Sequence, residues 1–216
     1  MNHAPPIFVS VALFAAVCWF FPLFHVVPLK QATDAKAAAT FSAAKFVESF
    51  WTAKLLESLD QAVKAEVLLP AVKSDPAAAR KKYARSLGLS ESYTYFISGT
   101  GRVVAVTDDE IALAVTEGAT QSEIVVQTGL IFGNTVRDGT GLLNVNDYPN
   151  SQDFNDISAE LNRLIETRVL PQLREQAKVG ARIHFAGCAE VGEEATDLKP
   201  LKVVPIQAET IQPASK

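Results

Sequence analysis

The first 29 residues of this 216-residue chain contain no Lys, Arg, Asp or Glu, so all 20 basic and 24 acidic residues come later. Residues 7–27 form an uninterrupted, mostly apolar run. As a helix this run would be about 30 Å long, which is the hydrocarbon thickness of a bilayer. Pro22 interrupts the run, but membrane helices tolerate such a kink. Residues 1–29 therefore predict a membrane anchor or uncleaved signal, with residues 7–27 in contact with the membrane.

A cleaved or lipidated signal peptide is the alternative interpretation of this segment. Ala15-Ala16-Val17-Cys18 resembles a bacterial lipoprotein box. However, Val17 stands where such boxes have a small residue, and the apolar run continues beyond Cys18. The segment before the run also lacks the basic residues of a signal peptide. These departures favour an anchor that is retained.

The charges that flank the run bear on its orientation. Lys30, Lys36 and Lys45 follow the run, and no Lys or Arg precedes it. By the positive-inside rule, this distribution places the body of the protein in the cytoplasm. The family resemblance described below implies the opposite side of the membrane.

Residues 30–90 are rich in Ala and show helical periodicity. Apolar side chains recur every three or four positions from Phe46 to Val63, with charged side chains between them. Asp75 followed by Pro76 is typical of a helix N-terminus, because Asp caps the first turn and Pro fits into it. We expect residues 30–90 to be a helical segment.

The next part of the chain has the composition of strands. Short stretches rich in β-branched and aromatic residues lie at residues 93–98, 102–107, 111–116 and 123–128. Gly99 and Gly101 separate the first two stretches, which predicts a turn there. We expect a meander of antiparallel strands.

Helix and strand patterns alternate in the remainder of the chain. Helical periodicity covers residues 153–170 and ends at Pro171, and strict alternation over residues 182–191 indicates another strand. The order of elements predicts an α+β fold: an N-terminal membrane helix, a helical segment, and a small antiparallel β-barrel with a further helix, resembling the oligonucleotide/oligosaccharide-binding (OB) fold. The barrel-like domain would span residues 91–216.

The composition excludes several classes of function. The net charge is −4, which is the opposite of what a nucleic-acid groove needs, and two Cys cannot form a disulfide scaffold. His184 is the one His outside the N-terminal region, and Cys188, on the same strand face, is about 13 Å away, too far for a catalytic pair. We expect no nucleic-acid partner, no metal and no cofactor, and the residues do not indicate an enzyme.

A cluster of Asn and Asp residues between positions 144 and 156 has two interpretations. Oxygen-rich segments can bind Ca²⁺, but the spacing here matches no known calcium loop. Asn and Asp side chains also form turns and cap helices. We expect Asn150 or Ser151 to cap the helix that begins near Phe154.

Arg137 and Asp138 form a second candidate site. Arg137 lies in an acidic region, so it either pairs with Asp138 or binds an anionic ligand. Together with the cluster, this gives Arg137, Asp138, Asp147 and Asn150 as candidate ligand-binding residues. The alternative function is a hydrolase that uses Asp138, Asp147 or Asp153 as paired carboxylates.

Several motifs along the chain form a recognisable pattern. They lie at residues 25–29 (His-Val-Val-Pro-Leu), 46–56, 99–104, 126–133, 137–138 (Arg-Asp), 146–148, 152–154 and 161–162. Together they resemble the bacterial family of predicted periplasmic lipoproteins, domain of unknown function 2291. The resemblance extends over nearly the whole chain from about residue 25, and the glycines and the Arg-Asp pair are its most specific part.

The resemblance implies a cell-envelope protein with an OB-like fold and no assigned catalytic residues. Family members occur beside sugar-uptake transport genes, which suggests an accessory role. We therefore predict a non-enzymatic binding or accessory protein of the inner membrane, with its body in the periplasm and an envelope or transporter protein as partner. A structural subunit of an envelope complex is a further alternative. In the family a lipidated Cys precedes Val-Pro-Leu, whereas Phe24 and His25 occupy that place here, which favours a peptide anchor.

Overall fold

The computed structural model describes residues 41–86, 91–148 and 150–211. The membrane contact predicted for residues 7–27 therefore lies outside the described residues. Within the described ranges, no helix has both the length and the apolar character needed to cross a bilayer. The described residues from Ser42 onward belong to one compact unit.

Seven α-helices are present in the described part of the chain. They are α1 (Ala43–Phe50), α2 (Ala65–Ser74), α3 (Pro76–Tyr83), α4 (Thr135–Gly139), α5 (Ser151–Leu164), α6 (Leu170–Gln176) and α7 (Glu194–Asp197). The predicted Asp75 cap is confirmed, because its carboxylate accepts a hydrogen bond from the N–H of Ala78 (3.0 Å) and Pro76 is the first residue of α3. A π turn (Trp51–Leu55) and a 3₁₀ turn (Leu56–Gln61) extend α1.

Seven strands of the described residues form a single sheet. They are β1 (Val63–Lys64), β2 (Ala84–Arg85), β3 (Tyr93–Val106), β4 (Glu110–Ala114), β5 (Ile124–Gln127), β6 (Arg182–Val191) and β7 (Leu201–Ile211). Their order is β1-β3-β4-β5-β7-β6, with β2 beside β3 and a further pairing between β3 and β6. The pairs β1–β3 and β5–β7 are parallel, and the other pairs are antiparallel.

The predicted fold class is therefore wrong in its sheet. The sheet is mixed and is not the closed antiparallel barrel that the sequence predicted. Parallel strands need a long crossover between them, and the chain from β5 through α4, α5 and α6 provides one before β7 pairs with β5. The helices and strands belong to one mixed α/β arrangement.

The turn predicted at Gly99 and Gly101 is also wrong, because β3 runs through both glycines without interruption. A Cβ atom at Gly99 would lie 2.7 Å from the Cβ of Ala65 at the start of α2. A Cβ atom at Gly101 would lie 2.8 Å from the Cβ of Leu113 on β4. These glycines are needed for the close approach of neighbouring elements and not for a change of chain direction.

The helix predicted over residues 153–170 begins earlier and continues further. Asn150 caps α5, which confirms the capping prediction: its Oδ1 accepts from the N–H of Asp153 (2.8 Å). A π turn (Ile165–Val169) follows α5 and leads directly into α6. Pro171 therefore lies at the start of α6, directly after the π turn, and it does not end the helical region.

The two faces of the sheet are packed differently. The core lies on one face, where the alternate residues of the strands are apolar and buried; it includes Tyr95, Ile97, Val103, Leu113, Ile183, Phe185, Val191 and Val203, with Leu68 and Val72 of α2 and Leu173 of α6 packed against them. The opposite face of β3 and β6 carries Thr94, Phe96 and Cys188, which are also buried. We call this opposite face the outer face, and α4 covers part of it.

Candidate functional site

Three polar residues form a row across the outer face. The register of the strands places Thr94 on β3 beside Arg85 on β2 and beside Glu190 on β6. Directly paired residues on adjacent strands have their side chains on the same face. The row therefore presents a cation, a hydroxyl and a carboxylate at one level of the sheet.

Helix α4 packs beside this row. A Cβ atom on Gly139 would lie 2.8 Å from the Cβ and Sγ of Cys188, so a glycine is needed where α4 crosses β6. At the other end of α4, the hydroxyl of Thr135 donates to Oε2 of Glu190 (3.0 Å). The helix is thus held at a fixed distance from the row.

A cleft of about 390 Å³ lies between α4 and the row. We call it the sheet cleft. Its lining consists of Arg85, Ser92, Tyr93, Thr94, Gly133, Asn134, Thr135, Arg137, Asp138 and Glu190. The volume is at the lower end of the range for small-molecule sites. Two cationic and two anionic side chains contribute to the lining, so the sheet cleft has no formal net charge.

Arg137 is a buried arginine whose hydrogen bonds are made within the protein. Its guanidinium forms a bidentate pair with Asp138, with Nε–Oδ1 at 2.6 Å and Nη2–Oδ2 at 3.2 Å. Nη1 donates to the carbonyl of Phe154 and to Oδ1 of Asn155, and the guanidinium lies 3.8 Å from the centroid of the Phe154 ring. Arg137 therefore joins α4 to α5 and orients Asp138 in the wall of the cleft.

Arg85 differs from Arg137 in both its exposure and its hydrogen bonding. Its side chain is exposed, and in the described part of the chain its guanidinium makes no hydrogen bond or ion pair. It lies against Gly141, whose φ is +65°, so a side chain there would be strained and would collide with the guanidinium. The structure thus places Arg85 at the cleft as a cation whose N–H groups donate no hydrogen bond to described protein groups.

The other two predicted ligand-binding residues do not line the sheet cleft. Asp147 is exposed in a 3₁₀ turn (Val145–Asp147), and Asn150 caps α5. Of the four candidates, the structure therefore brings Arg137 and Asp138 to the cleft.

The three carboxylates of the hydrolase alternative are not brought together in the described structure. Asp138 is paired with Arg137 (2.6 Å), and Oδ2 of Asp153 accepts from Nδ2 of Asn150 (3.0 Å). Asp138 lines the sheet cleft, whereas Asp147 and Asp153 do not. No observation of the described residues supports a pair of these carboxylates at one reaction centre.

Cys188 and His184 differ in their surroundings. Cys188 is fully buried beneath α4, and this burial raises the pKa of its thiol above the ordinary value. Nδ1 of His184 lies 3.2 Å from the hydroxyl of Thr100 on the neighbouring strand. Among the described residues, no group of three or more His, Cys, Asp or Glu side chains could hold a metal ion.

The sequence analysis did not identify Arg85, Thr94, Thr135 or Glu190 as site residues. The alternation of β6 places Glu190 on the same face as His184, but only the strand register shows which residues lie beside it. No sequence pattern indicated that Arg85 belongs to a sheet. It follows a segment with helical periodicity and lies in a strand of only two residues.

Comparisons with known proteins identify a family and a similar fold. The model of a family described as predicted periplasmic lipoprotein (domain of unknown function 2291) matches residues 9–209. The crystal structure of an OB-fold protein from Thermotoga maritima MSB8 superimposes with a TM-score of 0.69 at 25% sequence identity, and the match covers 80% of this chain and 99% of that chain. No curated protein matches the sequence.

Proposed function

The chain belongs to the family of predicted periplasmic lipoproteins, domain of unknown function 2291, and we propose that it is a non-enzymatic protein that binds a small polyhydroxylated ligand such as a sugar in the sheet cleft. Membership implies association with the membrane through a lipid anchor. We further propose that the protein is attached to the inner membrane through residues 1–29, that its body is periplasmic, and that it assists an envelope or transporter protein.

The observation that carries the ligand proposal is the pairing of an unused cation with two oriented carboxylates. Arg85 has no partner in the described part of the chain, while Asp138 and Glu190 are held by Arg137 and Thr135. Sugar hydroxyls donate to carboxylates and accept from guanidinium groups at the same time. Because the cleft has no formal net charge, a neutral ligand leaves no uncompensated charge within it.

Thermal unfolding of the full chain in nanodiscs, with a panel of mono- and disaccharides, tests this proposal. A ligand present at 100 times its dissociation constant should stabilise the protein by roughly 2.7 kcal/mol. R85Q should abolish the shift without lowering the stability of the ligand-free protein, since Arg85 is exposed and has no described partner.

R182Q is the matched control, because Arg182 is also an exposed strand arginine but lies at the opposite end of β6 from the cleft. It should leave the sugar-dependent shift unchanged. The proposal fails if no sugar shifts the transition, or if the shift survives in R85Q.

A further inference from the structure

The loop at residues 129–134, between β5 and α4, exposes two large apolar side chains. Leu130 is 69% exposed and Phe132 is 77% exposed, whereas Ile131 between them is buried. Single exposed apolar residues are common on protein surfaces. Here two of them lie on the same side of one short loop and border a groove, so they form a defined apolar surface.

Side chains of neighbouring elements hold this loop in place. Glu166 accepts from the N–H of Ile131 (2.8 Å), and Asn162 donates to the carbonyl of Gly133 (3.0 Å). Nε2 of Gln127 donates to the carbonyl of Leu130 (2.9 Å). A loop that is already ordered loses little conformational entropy on binding, so its exposed side chains can contribute more of their burial energy to an interface.

The groove beside the loop has a volume of about 440 Å³ and is floored by α5. The floor residues recur at helical spacing and therefore share one face of the helix: Asn155, Ser158, Ala159 and Asn162. We call this feature the α5 groove; Leu130 and Phe132 form its apolar wall.

The floor has hydrogen-bonding capacity that the described protein groups do not use. The hydroxyl oxygen of Ser158, a residue only 4% exposed, has no hydrogen-bond partner in the described part of the chain. Asn155 uses its Oδ1 for Arg137 and Asn162 uses its Nδ2 for Gly133, while their other amide atoms make no hydrogen bond with described residues. The groove thus combines an apolar wall with free donors and acceptors.

The charged side chains in the lining of the groove are Arg163 and Glu166. Arg163 pairs with Glu160 (2.6 Å), and the carboxylate of Glu166 accepts from the loop backbone but keeps its charge. An anionic ligand would therefore find no unpaired cation in the described lining, whereas a ligand with an apolar group and amide groups would match both the wall and the floor.

We propose that the α5 groove binds an extended segment of a partner protein that carries no net negative charge, with an apolar side chain packed against Leu130 and Phe132. The backbone amides of the segment would bond to Asn155 and Asn162. An acyl chain cannot satisfy these amides, which is why a polypeptide is the better match. The proposal does not depend on the ligand of the sheet cleft, since the groove is defined by different contacts.

Selection of a displayed library of random 12-residue peptides against the full chain in nanodiscs tests the proposal. Enriched peptides should carry an aromatic or branched apolar residue and no net negative charge, and a synthetic consensus peptide should bind at one site. F132S and A159R, which remove the wall and fill the floor, should each weaken peptide binding by about tenfold or more.

V179S and A77R are the matched controls. Val179 is 68% exposed outside the groove, and Ala77 is an exposed alanine on α3. Both should bind the consensus peptide like the unmodified chain. Failure to enrich peptides, or peptide binding that survives in F132S and A159R, overturns the proposal.

Two further outcomes would assign the apolar surface to another occupant and overturn the proposal as well. Quenching of F132W fluorescence by brominated phospholipid in the nanodisc, beyond that of the unmodified chain, would show that the loop contacts lipid. Concentration-dependent association of the full chain in detergent that is lost in F132S would show that a second copy occupies the groove. A sugar-dependent shift in the presence of either outcome would leave the sheet-cleft proposal intact.

Discussion

The 129–134 loop and helix α4 are adjacent in the chain, but they differ in which side chains they expose and which they bury. The loop exposes Leu130 and Phe132 to solvent, while α4 buries the guanidinium of Arg137, which is 5% exposed. Apolar residues are usually inside proteins and charged residues outside. Here only four residues lie between an exposed Phe and a buried Arg.

This difference distinguishes residues that stabilise the fold from residues that are available for binding. The hydrogen bonds of Arg137 end on Asp138, Phe154 and Asn155, so the buried charge is compensated within the protein. Phe132 is exposed and contributes little burial to the fold. We expect substitutions in α4 to change stability and substitutions at the tip of the loop to change binding.

The largest effect is expected for R137M. It leaves the carboxylate of Asp138 and the carbonyl of Phe154 without their donors in a buried region, so the free energy of unfolding should fall by about 3 kcal/mol. Chemical denaturation of the full chain in detergent measures this change. R163M is the control: the Arg163–Glu160 pair lies at the surface, where water screens it, so its loss should lower the free energy of unfolding far less than the loss of Arg137. A loss of similar size in both variants would contradict the distinction drawn here.

The second effect concerns the cysteine beneath α4. Burial raises the pKa of the Cys188 thiol, so little thiolate forms and alkylation by iodoacetamide should stay slow from about pH 7 to 9, a range in which an ordinary thiol becomes far more reactive. In R137M the rate should rise on the order of 100-fold, because opening of the structure costs about 3 kcal/mol less. Mass spectrometry of the Cys188 peptide separates this thiol from Cys18. Rapid alkylation in the unmodified chain would show that α4 does not protect Cys188.

A smaller effect is expected where the loop is held. E166A removes the acceptor of the Ile131 N–H, a charge-assisted hydrogen bond, and should destabilise the protein by about 1.5 kcal/mol. Hydrogen exchange at the Ile131 amide should become faster in this variant. E166Q retains an acceptor oxygen and should exchange nearly as slowly as the unmodified chain. Equal exchange in E166A and the unmodified chain would mean that the loop is ordered by other contacts.

The smallest effect on stability is expected for F132S. Because Phe132 is 77% exposed, its removal should change the free energy of unfolding by no more than about 0.5 kcal/mol. The same denaturation experiment, with V179S as the control, measures this value. A loss as large as that of R137M would show that Phe132 contributes to the fold and would remove the basis for assigning it to an interface.

Local signals in the sequence predicted local structure well. The caps at Asp75 and Asn150 were identified correctly because a cap depends on residues within one helical turn. The pairing of Arg137 with Asp138, which the sequence left as one of two interpretations, is present for a similar reason, since the two residues are neighbours in the chain.

Features that depend on contacts between distant segments were not predictable in the same way. The sequence pattern at Gly99 and Gly101 predicted a turn. In the structure, glycine is needed at these positions because Ala65 and Leu113 of other elements approach the strand closely. The row Arg85–Thr94–Glu190 exists only through strand register, which a single sequence does not reveal. The sheet cleft could therefore be found only from the structure, although two of its residues were recognised in advance.

The pairing of β3 with β6 has a consequence for the way the protein is made. The ten residue pairs of this contact join positions that are about 80 to 100 residues apart in the chain. During synthesis, β3 can pair early with β1, β2 and β4, but its ten-residue pairing with β6 must wait until β6 has been translated. A sheet that is completed so late suits a protein that crosses a membrane before it folds, because the early strands lack this long pairing until β6 is available.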